Sequence, residues 1–216
     1  MITRDELTSL IDGWSKNRRV LGRLLNTCSY LEHLASKKML TATVSVTDLT
    51  LQHANEMTRH ASFFKRALRG VWHGDFSRYD DHMLIGGRAA VGYLQKMDVV
   101  VRKAVKDAKI KASGDAQYFI MAWLVETRAN MLYPLMNDVF AAARIPVSLR
   151  NVIADHEKFL AEVQEQIGKI PKLKPVLMSE LLIAEEQLFN RFIIQMQQDT
   201  VRVAPKSPAL EPAQSN

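Results

Sequence analysis

Residues 118–143, which read YFIMAWLVETRANMLYPLMNDVFAAA, form the longest apolar stretch of the chain. The stretch is long enough to cross a bilayer, but it contains polar or charged side chains at Glu126, Arg128, Asn130 and Asp138. A helix that is enclosed by other helices is apolar on most of its surface and tolerates a few paired polar groups. We therefore predict that this segment is the central, most buried helix of an all-α bundle, and that it does not span a membrane.

Helical patterns flank this segment on both sides. Thr3 and Glu6 have the spacing of a capping box at the start of the first helix. Residues 41–47 are rich in β-branched side chains, but no partner strand occurs elsewhere, so we interpret them as an extended linker. The predicted helices cover about residues 3–14, 18–39, 48–72, 82–111, 116–143, 148–167 and 176–200.

Length and composition indicate one folded domain. The chain has 216 residues, of which 47% are apolar and 24% are charged, and it contains only 9 glycines and 7 prolines. We predict a single helical bundle domain over residues 1–200. Residues 201–216 are predicted to be a disordered tail, because they hold three prolines and show no apolar periodicity.

Cysteine content and charge bear on the compartment and the partners. Cys28 is the only cysteine and cannot form an internal disulfide, and residues 1–10 lack the apolar run of a signal peptide. Both features favour the cytoplasm. The net charge of +6 comes from scattered basic residues that match no nucleic-acid motif, so nucleic-acid binding is not expected. A small molecule or a protein, including a second copy in a homodimer, stays open as the partner.

Four of the predicted helices each carry one potential metal ligand inside an apolar stripe. Glu32, His60, Glu126 and His156 lie three or four residues from apolar neighbours, which places each of them on the core face of its helix. A buried carboxylate is tolerated mainly when it is paired, hydrogen-bonded or bound to a metal. Since carboxylate and imidazole ligands suit iron, manganese or zinc, the four side chains predict a metal site in the bundle core.

The same helices resemble the metal-binding helices of the ferritin-like superfamily. In those bundles, two helices each supply a glutamate and two others each supply a Glu-x-x-His motif. Glu32 and Glu126 occupy the places of the two single glutamates. Residues 55–61, NEMTRHA, resemble the first motif helix, and residues 154–160, ADHEKFL, resemble the second.

This chain departs from the family pattern at the ligand positions. Met57 stands where the first motif has its glutamate, and Phe159 stands where the second has its histidine. The ligand set that we expect is therefore atypical. The resemblance implies a ferritin-like up-down bundle with additional helices, a site for iron or manganese, and an oxidoreductase that uses oxygen or peroxide.

A metal-free bundle accounts for the same residues in a different way. Glu32 or Glu126 can pair with Arg128, His60 or His156, and the buried groups then form a hydrogen-bonded network. The chain would in that case act as a binding or regulatory protein through protein partners. The sequence leaves both interpretations open.

Overall fold

The helices begin where local side chains can bind the first backbone amides. In the computed structural model, which describes residues 2–42, 45–72, 76–111 and 113–202, the Thr3 hydroxyl accepts a hydrogen bond from the Glu6 amide. The Glu6 carboxylate accepts one from the Thr3 amide, which completes the predicted capping box. Thr47 caps a later helix by accepting from the Thr50 amide.

The all-α prediction is confirmed. Across the described residues the chain forms seven α-helices and one 3-10 turn, and it forms no strand. The helices are α1 Arg4–Ser15, α2 Arg18–Ala42, α3 Asp48–Val71, α4 Gly87–Asp107, α5 Ser113–Ala142, α6 Arg150–Gly168 and α7 Pro175–Arg202, and the 3-10 turn is Asp81–Met83.

Predicted and observed bounds differ most at the start of α4. The sequence predicted a helix from about residue 82, but α4 begins at Gly87, after the 3-10 turn and Gly86. Gly86 has a φ of 70°, in the left-handed region, and a Cβ at this position would lie 2.7 Å from Cγ of Met196 on α7. The backbone therefore turns at Gly86 and brings the first turn of α4 against α7.

The ends of α2 and α7 also lie beyond their predicted bounds. α2 continues to Ala42, so the first two residues of the predicted linker are helical, and residues 43–44 lie outside the described residues. α7 continues to Arg202, two residues into the predicted tail. The rest of that tail, residues 203–216, lies outside the described residues.

α5 is central, in agreement with its apolar sequence. It packs most extensively against α6 and also contacts α1, α2, α4 and α7. α2 pairs with α3, and hydrogen bonds from Ser29 to Ala61 and from Ser36 to Ala54 show that these two helices run antiparallel. α4 pairs with α7. No helix in the described part of the chain is long and apolar enough to cross a membrane.

The core of α2, α3, α5 and α6 is layered along the helix axes. A small apolar cluster lies at one level and consists of Ala35, Met39, Ala54, Met57, Tyr118 and Phe159. The main apolar cluster includes Cys28, Phe64, Tyr133 and Val152 on the same four helices. Between the two levels, each helix contributes buried polar residues, and these form the candidate site.

Candidate metal centre

The four side chains that the sequence proposed as ligands all lie between the two apolar clusters, in a region that we call the polar layer. Glu32 on α2, His60 on α3, Glu126 on α5 and His156 on α6 are each at most 4% exposed. The layer therefore removes two carboxyl groups and two imidazoles from water, which is costly unless they neutralise one another or bind a cation.

Three of the four converge on one point. His60 Nδ1 lies 3.6 Å from Glu32 Oε2, and His156 Nε2 lies 3.4 Å from Glu32 Oε1. One ligand atom from each residue lies within 4.8 Å of the other two. Glu32 Oε2, His60 Nδ1 and His156 Nε2 are also buried and have no hydrogen-bond partner among the described residues.

Glu126 lies behind His156 and does not face the same point. Its Oε2 is 2.6 Å from His156 Nδ1, and its Oε1 is 2.8 Å from His53 Nε2. Both oxygens of Glu126 are thus engaged by imidazoles. The sequence proposed Glu126 as a ligand, and in the structure it contacts His156 and His53 and lies outside the group formed by Glu32, His60 and His156.

Asp155 contacts His60 in the same way that Glu126 contacts His156. Its Oδ2 lies 3.0 Å from His60 Nε2 and 2.6 Å from Arg59 Nη2. Each of the two histidines therefore has one ring nitrogen beside a carboxylate and the other beside Glu32. A carboxylate acceptor favours the proton on the nitrogen that faces it, and this leaves the other nitrogen available to a metal.

The electrostatics of the layer favour a positive charge between the carboxylates. Burial acts to lower the pKa of His156, but Glu126 and Glu32 outweigh it and raise that pKa to about 10. Burial acts to raise the pKa of Glu126 and of Glu32, yet the charge of His156 holds both below their ordinary value. Without a metal, His156 is therefore an imidazolium between two carboxylates, and a metal cation would meet the same two negative charges.

Tyrosine hydroxyls fix the remaining polar atoms of the layer. Tyr133 donates to Glu32 Oε1, and its ring lies 5.1 Å from that of His156. Burial and the neighbouring Glu32 raise the pKa of Tyr133 well above its usual value, so it stays a donor. Tyr118 lies 3.1 Å from His53 Nδ1 on the far side of Glu126. These contacts orient Glu32 with one oxygen occupied and the other without a partner among the described residues.

A second group of potential ligands already lies beside a positively charged side chain, that of Arg59. Glu56, His60 and Asp155 also bring ligand atoms within 4.8 Å of one another. Arg59 Nη2 contacts both Glu56 and Asp155, so its guanidinium neutralises these carboxylates. Glu56 is thereby explained as an ion-pair partner.

The sequence predicted His53 to be a hydrogen-bonded core or boundary residue, and it placed neither His53 nor Asp155 in the site. His53 lies seven residues before His60, a spacing of nearly two full turns that places both on one face of α3, and this was the available signal. Asp155 is next to His156 in the sequence and about 100° around the helix, so the apolar pattern of α6 does not include it. Arg128, considered as a partner for the buried glutamates, instead pairs with Glu185 on α7.

Comparison of the chain with protein-family models, curated proteins and solved structures finds no match in any of the three. The ferritin-like resemblance therefore rests on the residues of this chain alone.

Proposed function

We propose that this chain is a metal-binding protein that holds one divalent transition-metal ion through Glu32, His60 and His156. The convergence of three buried ligand atoms that lack a hydrogen-bond partner among the described residues carries the proposal. Leaving three such atoms unpaired is costly, and a shared cation would pair all of them at once.

The donor set favours iron or manganese. Two imidazoles and one carboxylate form the ligand set that is typical of non-haem iron(II) centres with open positions. Such an ion would supply reactivity toward oxygen or peroxide, and we propose on this basis an oxidoreductase of the ferritin-like kind with an atypical ligand set. Zinc accepts the same donors and is the natural competitor.

The residues around the ligands have defined roles under this proposal. Glu126 and Asp155 hold the rings of His156 and His60 so that one nitrogen of each faces Glu32. Tyr133 donates to Glu32 Oε1 and leaves Oε2 for the ion. The apolar clusters on both sides of the layer exclude water from the ligands.

Metal content per chain tests the proposal. The purified protein would be exposed to iron(II), manganese(II) and zinc(II) in turn, desalted, and analysed for bound metal. We expect about one ion per chain, loss of that ion in Glu32→Gln and His60→Ala, and retention in the control His33→Ala, which removes an exposed histidine next to Glu32. Metal at background level in the unaltered protein would overturn the proposal.

An exposed apolar stripe on α7 supports a second proposal, that the chain acts through a protein partner, and we infer that this partner is a second copy. Val176, Ile183, Ile194 and Val201 are each at least half exposed. At 100° per residue their side chains lie within about 20° of one another on the helix. Exposed apolar side chains that share one helix face are candidates for an interface with a partner.

The spacing of the stripe makes it complementary to itself. The four residues are separated by seven, eleven and seven positions, so the pattern is symmetric about its centre. An antiparallel second copy would bring Val176 opposite Val201 and Ile183 opposite Ile194, as a two-fold axis requires. The helix is 28 residues long, which gives a contact of about 42 Å. Gln187, near the middle of the stripe, is uncharged, so its pairing would bury no like charges.

Sedimentation velocity tests this interface separately from metal content. We expect the unaltered chain to be a dimer and Ile183→Glu to be a monomer with unchanged helical content. Leu51→Glu, at an exposed apolar position on α3, is the matched control and should stay dimeric. A monomeric unaltered chain would refute the interface without affecting the metal proposal.

A further inference from the structure

We propose that the cleft at the start of α4 binds an oxyanion, the phosphate or carboxylate group of a small molecule. The cleft has a volume of about 380 Å³ and lies between α2, α7 and the first turn of α4. It lies away from the polar layer, and the proposal does not depend on the metal.

Arg23 on α2 provides the main observation. It lines the cleft, is only 3% exposed, and donates from Nη2 to the carbonyl oxygen of Leu84. Its Nε and Nη1 are buried and have no hydrogen-bond partner within the described residues, although the charge of Asp199 on α7 acts on the guanidinium. A buried guanidinium whose donors lack acceptors is costly, and a bound oxyanion would supply those acceptors.

The N-terminus of α4 faces the same cleft through Gly87. The first amides of a helix have no partner within the helix, and the helix dipole places partial positive charge there. The left-handed Gly86 before it allows the backbone to approach α7 without a side chain in between. Helix N-termini of this form bind phosphate and carboxylate groups when a second cationic group is nearby.

Two carboxylates of the chain lie in the cleft as well. Asp81 pairs with Arg88, and Asp199 on α7 accepts a hydrogen bond of 2.9 Å from the Gly86 amide. Asp199 therefore shows that the helix start accepts a carboxylate. Burial lowers the pKa of Arg23 and the charge of Asp199 raises it, so Asp199 acts on both the arginine and the helix start. An oxyanion would compete with Asp199 for these groups, and the partial positive charge of the α4 N-terminus favours its binding.

The arrangement predicts opposite effects for two substitutions. Arg23→Gln removes the donors and the charge, so oxyanion affinity should fall about tenfold or more. Asp199→Asn removes the internal carboxylate that competes for the helix start, and should raise affinity several-fold. Arg66→Gln, an exposed arginine on α3, is the matched control for loss of one positive charge.

Isothermal titration of the full chain with inorganic phosphate and, separately, with acetate tests the proposal at constant ionic strength. We expect saturable binding of at least one anion, and the preferred anion identifies the class of ligand group. No saturable binding of either, or equal affinity in folded Arg23→Gln and Arg66→Gln, would overturn the proposal. Should Arg23→Gln fail to fold, Asp199→Asn decides, because an affinity no higher than that of the unaltered chain would also overturn it.

Discussion

At the scale of single residues, Glu32 and Glu126 are both buried glutamates but have different neighbours. Glu32 has an oxygen without a partner among the described residues, whereas both oxygens of Glu126 contact imidazoles. We therefore predict that Glu126→Gln keeps about one metal ion per chain but binds it about 10- to 100-fold more weakly, as is usual when a group that orients a ligand is changed. Glu32→Gln should lose the ion altogether.

Competition with a chromophoric chelator measures this difference. The affinity of each variant for zinc(II) would be compared with that of the unaltered protein and of Glu180→Gln, an exposed glutamate on α7. Complete loss of the ion in Glu126→Gln would show that Glu126 is itself a ligand, contrary to its position in this structure.

The charge on His156 predicts how the stability of the metal-free protein depends on pH. Its pKa is raised from 6.5 to about 10, so its contribution is fully present below pH 6.5 and is lost as the pH rises toward 10. The pKa of Glu126 is lowered from 4.5, so its contribution is present above pH 4.5 and is lost on further acidification. The free energy of unfolding should therefore be highest between about pH 4.5 and pH 6.5.

Urea denaturation at a series of pH values checks this expectation. The free energy of unfolding should fall on the alkaline side by at most about 1.4 kcal/mol per pH unit for the one proton on His156. His156→Gln should remove most of that slope. Equal alkaline slopes in the variant and the unaltered protein would contradict the assignment of the charge to His156.

The sequence predicted which residues of the polar layer are buried, but it did not predict how they divide their roles. Burial follows from helical periodicity, because one polar residue in an apolar stripe must face the core. Which atom of Glu126 meets which ring depends on the relative height of α5, α3 and α6, and a single helix pattern carries no such information. For the same reason, the contribution of Asp155 became visible only when α3 and α6 were placed side by side.

At the scale of helices and turns, Gly86 and Gly92 give a matched pair of substitutions. Gly86 has a positive φ and its Cβ would lie 2.7 Å from Met196, whereas a Cβ at Gly92, inside α4, meets nothing within 4 Å. We predict that Gly86→Ala lowers the free energy of unfolding by about 1–3 kcal/mol. Gly92→Ala should raise it by about 0.5–1 kcal/mol, because alanine is the better helix former.

Denaturant titration of both variants measures these changes. The two changes in the free energy of unfolding must have opposite signs. The same replacement is made at both sites, and only the backbone conformation and the space around the new Cβ differ. A neutral or stabilising effect of Gly86→Ala would show that the turn before α4 is less constrained than its φ indicates.

The starts of the capped helices α1 and α3 were predicted accurately, whereas the start of α4, which follows Gly86, was not. The hydroxyls of Thr3 and Thr47 bind amides in their own segment, so the signal is local and readable. The start of α4 depends on Gly86 adopting a left-handed conformation against Met196, more than a hundred residues away. A contact at that separation leaves no periodic pattern in the sequence.

At the scale of the whole molecule, Arg128 and Glu185 connect the central helix to α7. Arg128 Nε lies 3.0 Å from Glu185 Oε1, and Tyr93 of α4 donates to the same carboxylate, so three helices meet at one buried ion pair. We predict that Arg128→Met lowers the free energy of unfolding by about 3 kcal/mol, because the Glu185 carboxylate is left buried without its cation.

A double-mutant cycle distinguishes a lost ion pair from lost packing. Arg128→Met combined with Glu185→Met should be less destabilising than the sum of the two single changes, because the double variant leaves no unpaired charge. Strict additivity, measured by urea denaturation, would show that the two side chains contribute independently.

The overall class of the molecule was accessible from its sequence, and much of its assembly was not. The long apolar segment around Glu126 predicted an all-α fold with α5 at its centre. The pairing of α4 with α7 depends on contacts such as Tyr93 with Glu185, which lie far apart in the chain. Ferritin-like topology, the cytoplasm as compartment and a homodimer stay predictions.

The burial of the polar layer also has a kinetic consequence. His60 and His156 are at most 2% exposed, so we expect a bound ion to leave only when the helices around the polar layer part. Asp155, whose side chain is 27% exposed, links α6 to α3 through Arg59 and His60. Release of the ion would then be limited by the parting of the helices, and adding more chelator would not accelerate it. The residence time of the ion would report how often this part of the protein opens.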